Sequence, residues 1–337
     1  MPAFARLIHP GSIRIEDAPS LQPGPGEVIV KTELAGVCGT DLALYAGDYA
    51  TPLPLVIGHE YVGSVGSVGE GVDKQWIGKR VAPEINNTCA ALRLKTQCVA
   101  CRKGMSGHCL TRTVTGIVNS DGAFAEQTRT ASGNLHHVPD SLDSNIAVLA
   151  EPLAAALQTF ETLSLAGDET VVVLGPGRLG ILIVFAAHLK GLKVIAVSRS
   201  DHKRQRALKF GAAHACAPEH AVDQVMELTE DFGADIVVDA TGQPGGLAQA
   251  QDLVRPRGVI AAKTTCGLPS DGLDLTRLIV NEIRIQGSRC GPFAPALKIL
   301  ESHQERLRSL ITASYPLQKI NEALSAANRE DKITIRI

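Results

Sequence analysis

The 337-residue sequence carries little net charge and has no long run of apolar residues. Its formal net charge is -2, which gives no electrostatic reason to expect binding to nucleic acid or to an anionic membrane. No apolar stretch reaches the length that spans a bilayer. The N-terminal MPAFARLIHPGSIRIED also lacks the apolar core of a signal peptide, so we expect a cytoplasmic protein.

Internal repeats and low-complexity tracts are also missing, and the character of the sequence changes once, near residue 150. Before this point, short alternating runs such as GEVIVKTELAGVC and GKRVAPEI are separated by Gly and Pro, which predicts a β-rich domain over residues 1–150. After it, strands such as TVVVL and KVIAV alternate with helical stretches. This alternation predicts an α/β fold with a parallel sheet covered on both faces over residues 151–289.

The segment VVVLGPGRLG has the glycine spacing of a dinucleotide-binding loop. Gly175, Gly177 and Gly180 enclose Arg178 and Leu179 between a predicted buried strand and a predicted helix. The first glycine permits a tight turn, the second lets the backbone approach a pyrophosphate, and the third lets the helix pack closely on the strand. The alternative interpretation is an ordinary turn between a strand and a helix.

The end of the next predicted strand bears on the choice of cofactor. Enzymes that use NAD commonly carry Asp or Glu there, to bind the ribose 2′-hydroxyl. Here KVIAV is followed by Ser198 and Arg199, with Lys203 further along. Hydroxyl and guanidinium groups suit a 2′-phosphate, which predicts NADP(H) in preference to NAD(H). The alternative is a solvated basic start to the following helix.

Four residues of types that bind zinc occur in three separate segments. Cys38 lies in AGVCGTDL, His59 and Glu60 lie in IGHE, and Glu151 lies in LAEPLA. Thiolate, imidazole and carboxylate are all suitable zinc ligands, and a catalytic zinc ion keeps one position open. Taken singly, each residue has an ordinary structural explanation, such as a buried thiol or a hydrogen-bonded His–Glu pair.

Four of the eight cysteines are concentrated in a short segment. They are Cys89, Cys98, Cys101 and Cys109. Four thiolates form a closed tetrahedral zinc site that stabilises an irregular lobe and leaves no position for substrate. The alternative is a set of free or redox-active thiols.

In their order along the chain, these motifs resemble the medium-chain dehydrogenase/reductase superfamily, in its zinc-dependent alcohol/polyol dehydrogenase branch. The resemblance extends from GPGEVIVKTELAGVCGTDL through GHEYVGSV and EPLAAAL to NEIRIQGSRCGPF. It implies a GroES-like catalytic domain over residues 1–150, completed by residues 290–337. It also implies that residues 151–289 form a Rossmann domain with a doubly wound parallel sheet.

The resemblance also assigns roles at the catalytic zinc. Cys38 and His59 match two of its ligands, and Glu60 matches a carboxylate that can bind or exchange with a ligand. Glu151 matches the third ligand, which is Glu in the polyol, sugar and threonine dehydrogenases. Thr40 matches the hydroxyl that accepts the alcohol proton.

Two further positions follow from the same resemblance. Asp41 matches a residue that supports the zinc ligands from outside. The family usually spaces the first two cysteines of its structural zinc lobe by two residues, whereas eight residues, AALRLKTQ, separate Cys89 from Cys98 here. This insertion leaves the role of Cys89 as a ligand open.

The sequence therefore predicts a zinc-dependent oxidoreductase that transfers hydride between a secondary alcohol and NADP(H). The third ligand suggests a polyol-like or sugar-like substrate, and the resemblance implies a homodimer or homotetramer. Two alternatives remain open at this point. One is a zinc-independent quinone or enone reductase of the same superfamily, and the other is a non-catalytic cofactor-binding protein.

Overall fold

The computed structural model describes residues 1–264, 268–327 and 329–337. The strands are β1 (Ala3–His9), β2 (Ser12–Asp17), β3 (Glu27–Gly36), β4 (Leu55–Val56), β5 (Glu60–Val68), β6 (Arg80–Pro83), β7 (Asn86–Asn87), β8 (Thr113–Val114), β9 (Gln127–Ala131), β10 (Leu135–His137), β11 (Thr170–Leu174), β12 (Lys193–Val197), β13 (His214–Cys216), β14 (Ala234–Asp239), β15 (Val254–Ala262), β16 (Arg284–Gly287), β17 (Ala313–Pro316) and β18 (Ile333–Arg336). The helices are α1 (Gly39–Ala46), α2 (Val99–Arg102), α3 (Ser144–Ala147), α4 (Ala150–Glu161), α5 (Arg178–Leu189), α6 (Asp201–Lys209), α7 (Ala221–Leu228), α8 (Gly246–Leu253), α9 (Leu275–Val280), α10 (Phe293–Ser302), α11 (Gln304–Arg308) and α12 (Ile320–Ala327).

The described chain divides into two units. The first contains Met1–Glu151 together with Phe293–Ile337, and the second contains Pro152–Pro292. Both ends of the chain therefore belong to the first unit.

The first unit is built mainly from β-sheets. A three-stranded sheet has the order β2-β1-β4, and a larger sheet has the order β10-β6-β5-β3-β18-β17, with β9 also pairing with β3. Alternate residues of these strands, including Val28, Val30 and Ile335, pack into a core around Phe124. This alternation of buried and exposed residues is the sequence pattern that predicted strands here.

The C-terminal strand joins the sheet formed by the first part of the chain. β18 pairs antiparallel with β3, so that Thr334 lies opposite Gly36, and β3 pairs on its other side with β5, so that Gly36 lies opposite Glu60. The three strands β5, β3 and β18 are therefore direct neighbours at this level of the sheet.

The second unit has a six-stranded parallel sheet of order β13-β12-β11-β14-β15-β16. Strand order reverses beside β11, which is the doubly wound arrangement of the Rossmann fold. Helix α5 packs against β11 and β12, and α8 packs against β14 and β15. The predicted α/β fold class is confirmed, since the apolar runs TVVVL and KVIAV form buried central strands.

No helix within the described ranges is both long and apolar enough to cross a membrane.

Candidate metal centres and cofactor-binding loop

The first unit brings three of the predicted zinc ligands together. One ligand atom from each of Cys38, His59 and Glu60 lies within 4.8 Å of the others. Cys38 immediately precedes α1, His59 immediately precedes β5 and Glu60 is the first residue of β5, so the two parts of the site come from separate segments. A soft thiol, an imidazole and a carboxylate at this separation form a donor set that suits zinc.

A fully buried carboxylate organises the two segments. Asp41 accepts a hydrogen bond from the backbone amide of Cys38 at 2.8 Å through Oδ2, and another from the amide of Gly58 at 3.0 Å through Oδ1. The same Oδ1 lies 3.3 Å from Nδ1 of His59. Because this nitrogen faces the carboxylate, Nε2 is the ring nitrogen left for a metal ion.

The pKa of His59 depends on the burial of its ring and on its neighbours Asp41 and Cys38. Burial of the ring lowers its pKa, but the charges of Asp41 and Cys38 raise it, and the net result is a pKa well above the ordinary value. A metal ion that binds this imidazole must therefore displace a proton.

The backbone before His59 depends on glycine. Gly58 has φ +95°, which L side chains rarely adopt. A Cβ atom at this position would also lie 2.7 Å from Cδ1 of Phe124. A Cβ atom on either Gly116 or Gly122 would lie 2.2 Å from the carbonyl oxygen of Gly58, so the turn that presents His59 depends on three glycines packed against one another.

The remaining residues predicted at this centre lie nearby or apart from it. Thr40, in the first turn of α1, places its Oγ1 3.9 Å from Sγ of Cys38. Glu151 is half-buried in the first turn of α4. Among the described residues, the group around Cys38 includes His59 and Glu60 but not Glu151, whose role as a ligand stays a prediction.

One buried residue at this centre has no signal in the sequence. Lys332, just before β18, is 5% exposed, and its ammonium group binds Oε2 of Glu60, which is 1% exposed. It also donates to the carbonyl oxygen of Val37 at 3.1 Å. These partners lie more than 270 residues away in sequence, so no local spacing could have identified the contact.

The four clustered cysteines form a second potential metal centre. Cys89, Cys98, Cys101 and Cys109 each offer a sulfur atom, and all four sulfurs lie within 4.8 Å of one another. The sulfur of Cys109 lies 3.7 Å from those of both Cys89 and Cys98. Cys89 thus belongs to the cluster despite the insertion that follows it. The donor set is that of a closed, structural zinc site.

The environment of these thiols differs from one to the next. Burial raises the pKa of Cys101 to about 12. Burial also acts to raise the pKa of Cys109, but hydrogen bonds from the Thr111 hydroxyl and the Cys89 amide lower it to about 6. Some thiols therefore ionise readily, while a bound metal ion must displace protons from the others.

The glycine loop of the second unit has the geometry that the fingerprint predicts. Gly175 follows β11 with φ +80°, and Gly177 immediately precedes α5. A Cβ atom on Gly180 would lie 2.1 Å from the carbonyl oxygen of Gly175, so only glycine permits this approach. Arg178 and Leu179 form the first turn of α5 and are half-buried.

An arginine side chain holds the backbone of the turn that follows β12. Arg204 donates to the carbonyl oxygens of Ser198 at 2.7 Å and Arg199 at 3.1 Å. The hydroxyl of Ser198 accepts from the amide of Ser200 at 3.2 Å. In the described part of the chain, no hydrogen bond or ion pair engages the side chain of Arg199 or Lys203, so both are available to a ligand.

Comparison with known proteins identifies the family. Residues 24–140 match the alcohol dehydrogenase GroES-like domain, and residues 179–302 match the zinc-binding dehydrogenase domain. The L-threonine 3-dehydrogenase of Pyrococcus horikoshii is 34% identical over 248 residues, which cover 71% of this chain and 69% of that protein. The chain belongs to the zinc-dependent alcohol dehydrogenase family. A sorbitol dehydrogenase of Halalkalibacterium halodurans is 29% identical over 99% of this chain and 98% of its own length.

Solved structures agree with this assignment. A zinc-binding dehydrogenase from Sinorhizobium meliloti bound to NADP has a TM-score of 0.88 and 26% identity, covering 100% of this chain and 99% of its own. A short chain alcohol dehydrogenase from Escherichia coli in complex with NADH has a TM-score of 0.90, with 26% identity and the same coverage.

These findings confirm the family resemblance and the GroES-like and Rossmann folds. They also confirm the predicted activity, which is that of an NAD(P)-dependent zinc alcohol dehydrogenase acting on CH–OH groups. They disfavour the zinc-independent reductase and the non-catalytic protein as alternatives.

The cysteine cluster leads to a prediction about metal content. Cys101→Ser should remove one equivalent of bound zinc, because a hydroxyl is a poor zinc ligand, and should lower the melting temperature. Metal analysis would measure the zinc content and thermal unfolding the melting temperature, and hydrogen exchange of residues 89–112 would show whether the lobe loosens. Cys216→Ser, at a buried thiol outside the cluster, is the matched control and should keep its zinc. An unchanged zinc content in Cys101→Ser would exclude a structural site here.

Proposed function

We propose that this dehydrogenase oxidises a secondary alcohol of the polyol or sugar class, with NADP+ as the hydride acceptor. The proximity of Cys38 and His59, with Glu60 beside them, is the observation that carries the proposal, because thiolate and imidazole are ligands of a catalytic zinc ion. The sorbitol and threonine dehydrogenases among the relatives support a substrate with a polar group next to the reacting hydroxyl. Glu151 is the proposed third protein ligand.

Individual side chains of the protein have separate roles in the proposed reaction. Bound zinc supplies a Lewis acid that lowers the pKa of the alcohol, and bound NADP+ supplies the hydride acceptor. Asp41 holds the Cys38 segment and the His59 ring in fixed orientations. As hydride leaves the substrate carbon, the Thr40 hydroxyl, next to Cys38, takes up the proton of the substrate hydroxyl and passes its own proton on towards solvent.

A ligand substitution tests the zinc chemistry. Cys38→Ser should abolish turnover of alcohols, since the catalytic ion loses its thiolate ligand, while NADP+ binding in the second unit remains largely intact. Steady-state rates with a panel of polyols and aldoses, together with fluorescence titration of NADPH, would measure both properties. Cys216→Ser is again the control. Near-normal turnover in Cys38→Ser would remove zinc from the mechanism.

The preference for NADP(H) is supported by the charge after β12. Ser198 and Arg199 occupy the positions where an acidic residue commonly binds the ribose of NAD, and Lys203 adds a second cation. Arg204 is engaged with the backbone of this turn and with Asp201, so it shapes the turn. We assign contact with the 2′-phosphate to Arg199 and Lys203.

This assignment predicts the effect of Arg199→Ala on the two cofactors. A hydrogen bond to a charged group contributes about 1.5–3 kcal/mol, so the Kd for NADP+ should rise about tenfold to a hundredfold while that for NAD+ changes little. Calorimetric titration with both cofactors would measure the change. Lys193→Ala, at the exposed start of β12, is the control and should leave both dissociation constants unaltered. A preference for NAD+ in the unmodified protein would contradict the assignment.

We further propose that two copies assemble through β16. This strand lies at the edge of the parallel sheet, where its outer backbone groups can pair with another strand. Apolar side chains near it are exposed, namely Leu275 (65%), Ile279 (68%), Val280 (73%) and Ile285 (41%). Exposed apolar clusters of this kind mark interfaces in proteins.

The double substitution Ile279→Asp and Val280→Asp should convert the assembly to a monomer, because it places two charges in an apolar contact. Sedimentation velocity at micromolar concentration would measure this change in mass. Val222→Asp, at an exposed valine of α7, is the control and should assemble normally. Unaltered assembly in the double variant would exclude this surface.

A further inference from the structure

Lys332 and Glu60 form a buried ion pair beside the proposed catalytic metal position. The ammonium group reaches Oε2 of Glu60 and the carbonyl oxygen of Val37, one residue before Cys38. Removing a lysine from water is costly unless its charge is paired, so the position of this side chain reflects the carboxylate it binds.

A glycine on β3 gives the two side chains of this pair the space to meet. Gly36 lies between Glu60 on β5 and Thr334 on β18, its partners in the sheet. A Cβ atom on Gly36 would collide with Oε2 of Glu60 and would lie 3.1 Å from Cε of Lys332. The absence of a side chain at Gly36 therefore lets the two charged groups meet across β3.

The ion pair matters because zinc in proteins binds about four ligands, and a catalytic site keeps one of these positions open. Cys38, His59 and Glu60 are close enough to share a metal ion, and Glu151 is the proposed third protein ligand beside Cys38 and His59. If Glu60 were also bound permanently, four protein ligands would close the site and leave no position for the alcohol oxygen. A cation on Glu60 competes with the metal ion for this carboxylate.

We propose that Lys332 is a positioning residue that holds Glu60 off the metal ion and so keeps one coordination position open for substrate. This role rests on the proposed zinc chemistry but not on the identity of the alcohol or of the cofactor. It assigns a function to the C-terminal segment, which carries the lysine to the centre.

Imidazole binding to protein with Co2+ in the catalytic site tests this proposal, because imidazole occupies an open metal position and changes the visible absorption of Co2+. The unmodified protein should bind imidazole, whereas Lys332→Met should bind it about tenfold more weakly, as Glu60 closes the site. The double variant Lys332→Met with Glu60→Gln should recover the original affinity, because the amide is a poor metal ligand and its pairing partner is absent. Slower release of Zn2+ to a chelator should accompany the loss of imidazole binding in Lys332→Met only.

Two further variants separate positioning from general stability. Thr334→Val, on β18, removes the 3.0 Å hydrogen bond that the buried Thr334 hydroxyl donates to Ser314 on β17, and this variant should keep full imidazole affinity. Lys332→Gln, which can still donate to Val37, provides the comparison if the methionine variant does not fold, and it should weaken imidazole binding in the same direction.

The outcomes distinguish this role from the proposed function. Failure of the unmodified protein to take Co2+ beside Cys38 would overturn both proposals. Normal Co2+ binding, with imidazole affinity in the Lys332 variants equal to that of the unmodified protein, would overturn the positioning role alone. Loss of imidazole binding that Glu60→Gln does not restore would also contradict it, since the effect would then not act through Glu60.

Discussion

The carboxylate of Asp41 is the constraint on which the catalytic centre depends. It is fully buried, and it joins the amide before α1 to the amide before β5 while facing the ring of His59. A buried carboxylate is costly unless its oxygens are satisfied, so these three contacts stabilise one another. These contacts hold the Cys38 segment and the His59 ring in the positions from which their side chains can bind a metal ion.

The two potential metal centres of the first unit differ in their ligands and in the roles that these ligands indicate. Four sulfurs from one short lobe satisfy the tetrahedral preference of zinc completely, which suits a structural role. The centre around Cys38 mixes sulfur, nitrogen and oxygen from distant segments, and its glutamate is shared with a lysine. Competition for this carboxylate is a physical means of keeping a metal ion reactive, and among the described residues no cation pairs with a sulfur of the cysteine lobe in this way.

The sequence was sufficient where the chemistry depends on neighbours in the chain. The glycine fingerprint, the cysteine cluster and the motifs around Cys38 and His59 are local patterns, and the comparisons confirm the family and the fold that they indicated. Lys332 could not be predicted, because its contact with Glu60 depends on the register of β18 against β3. Whether Glu151 reaches the metal ion depends on side-chain geometry in α4, which no spacing rule specifies.

The insertion after Cys89 shows why a departure from family spacing need not alter a site. The eight residues between Cys89 and Cys98, six more than the usual two, fold back at once, with the amide of Leu94 donating to the carbonyl oxygen of Cys89 at 2.9 Å. They then pack on the first unit, where the amide of Gly133 donates to Ala91 at 2.9 Å and only a glycine at position 26 leaves space for the carbonyl of Leu92. Because lengthening a loop costs little entropy once its ends are fixed, the sulfur of Cys89 returns to the other three. The constraint that matters is where the thiols meet in space, and several chain lengths between them can satisfy it.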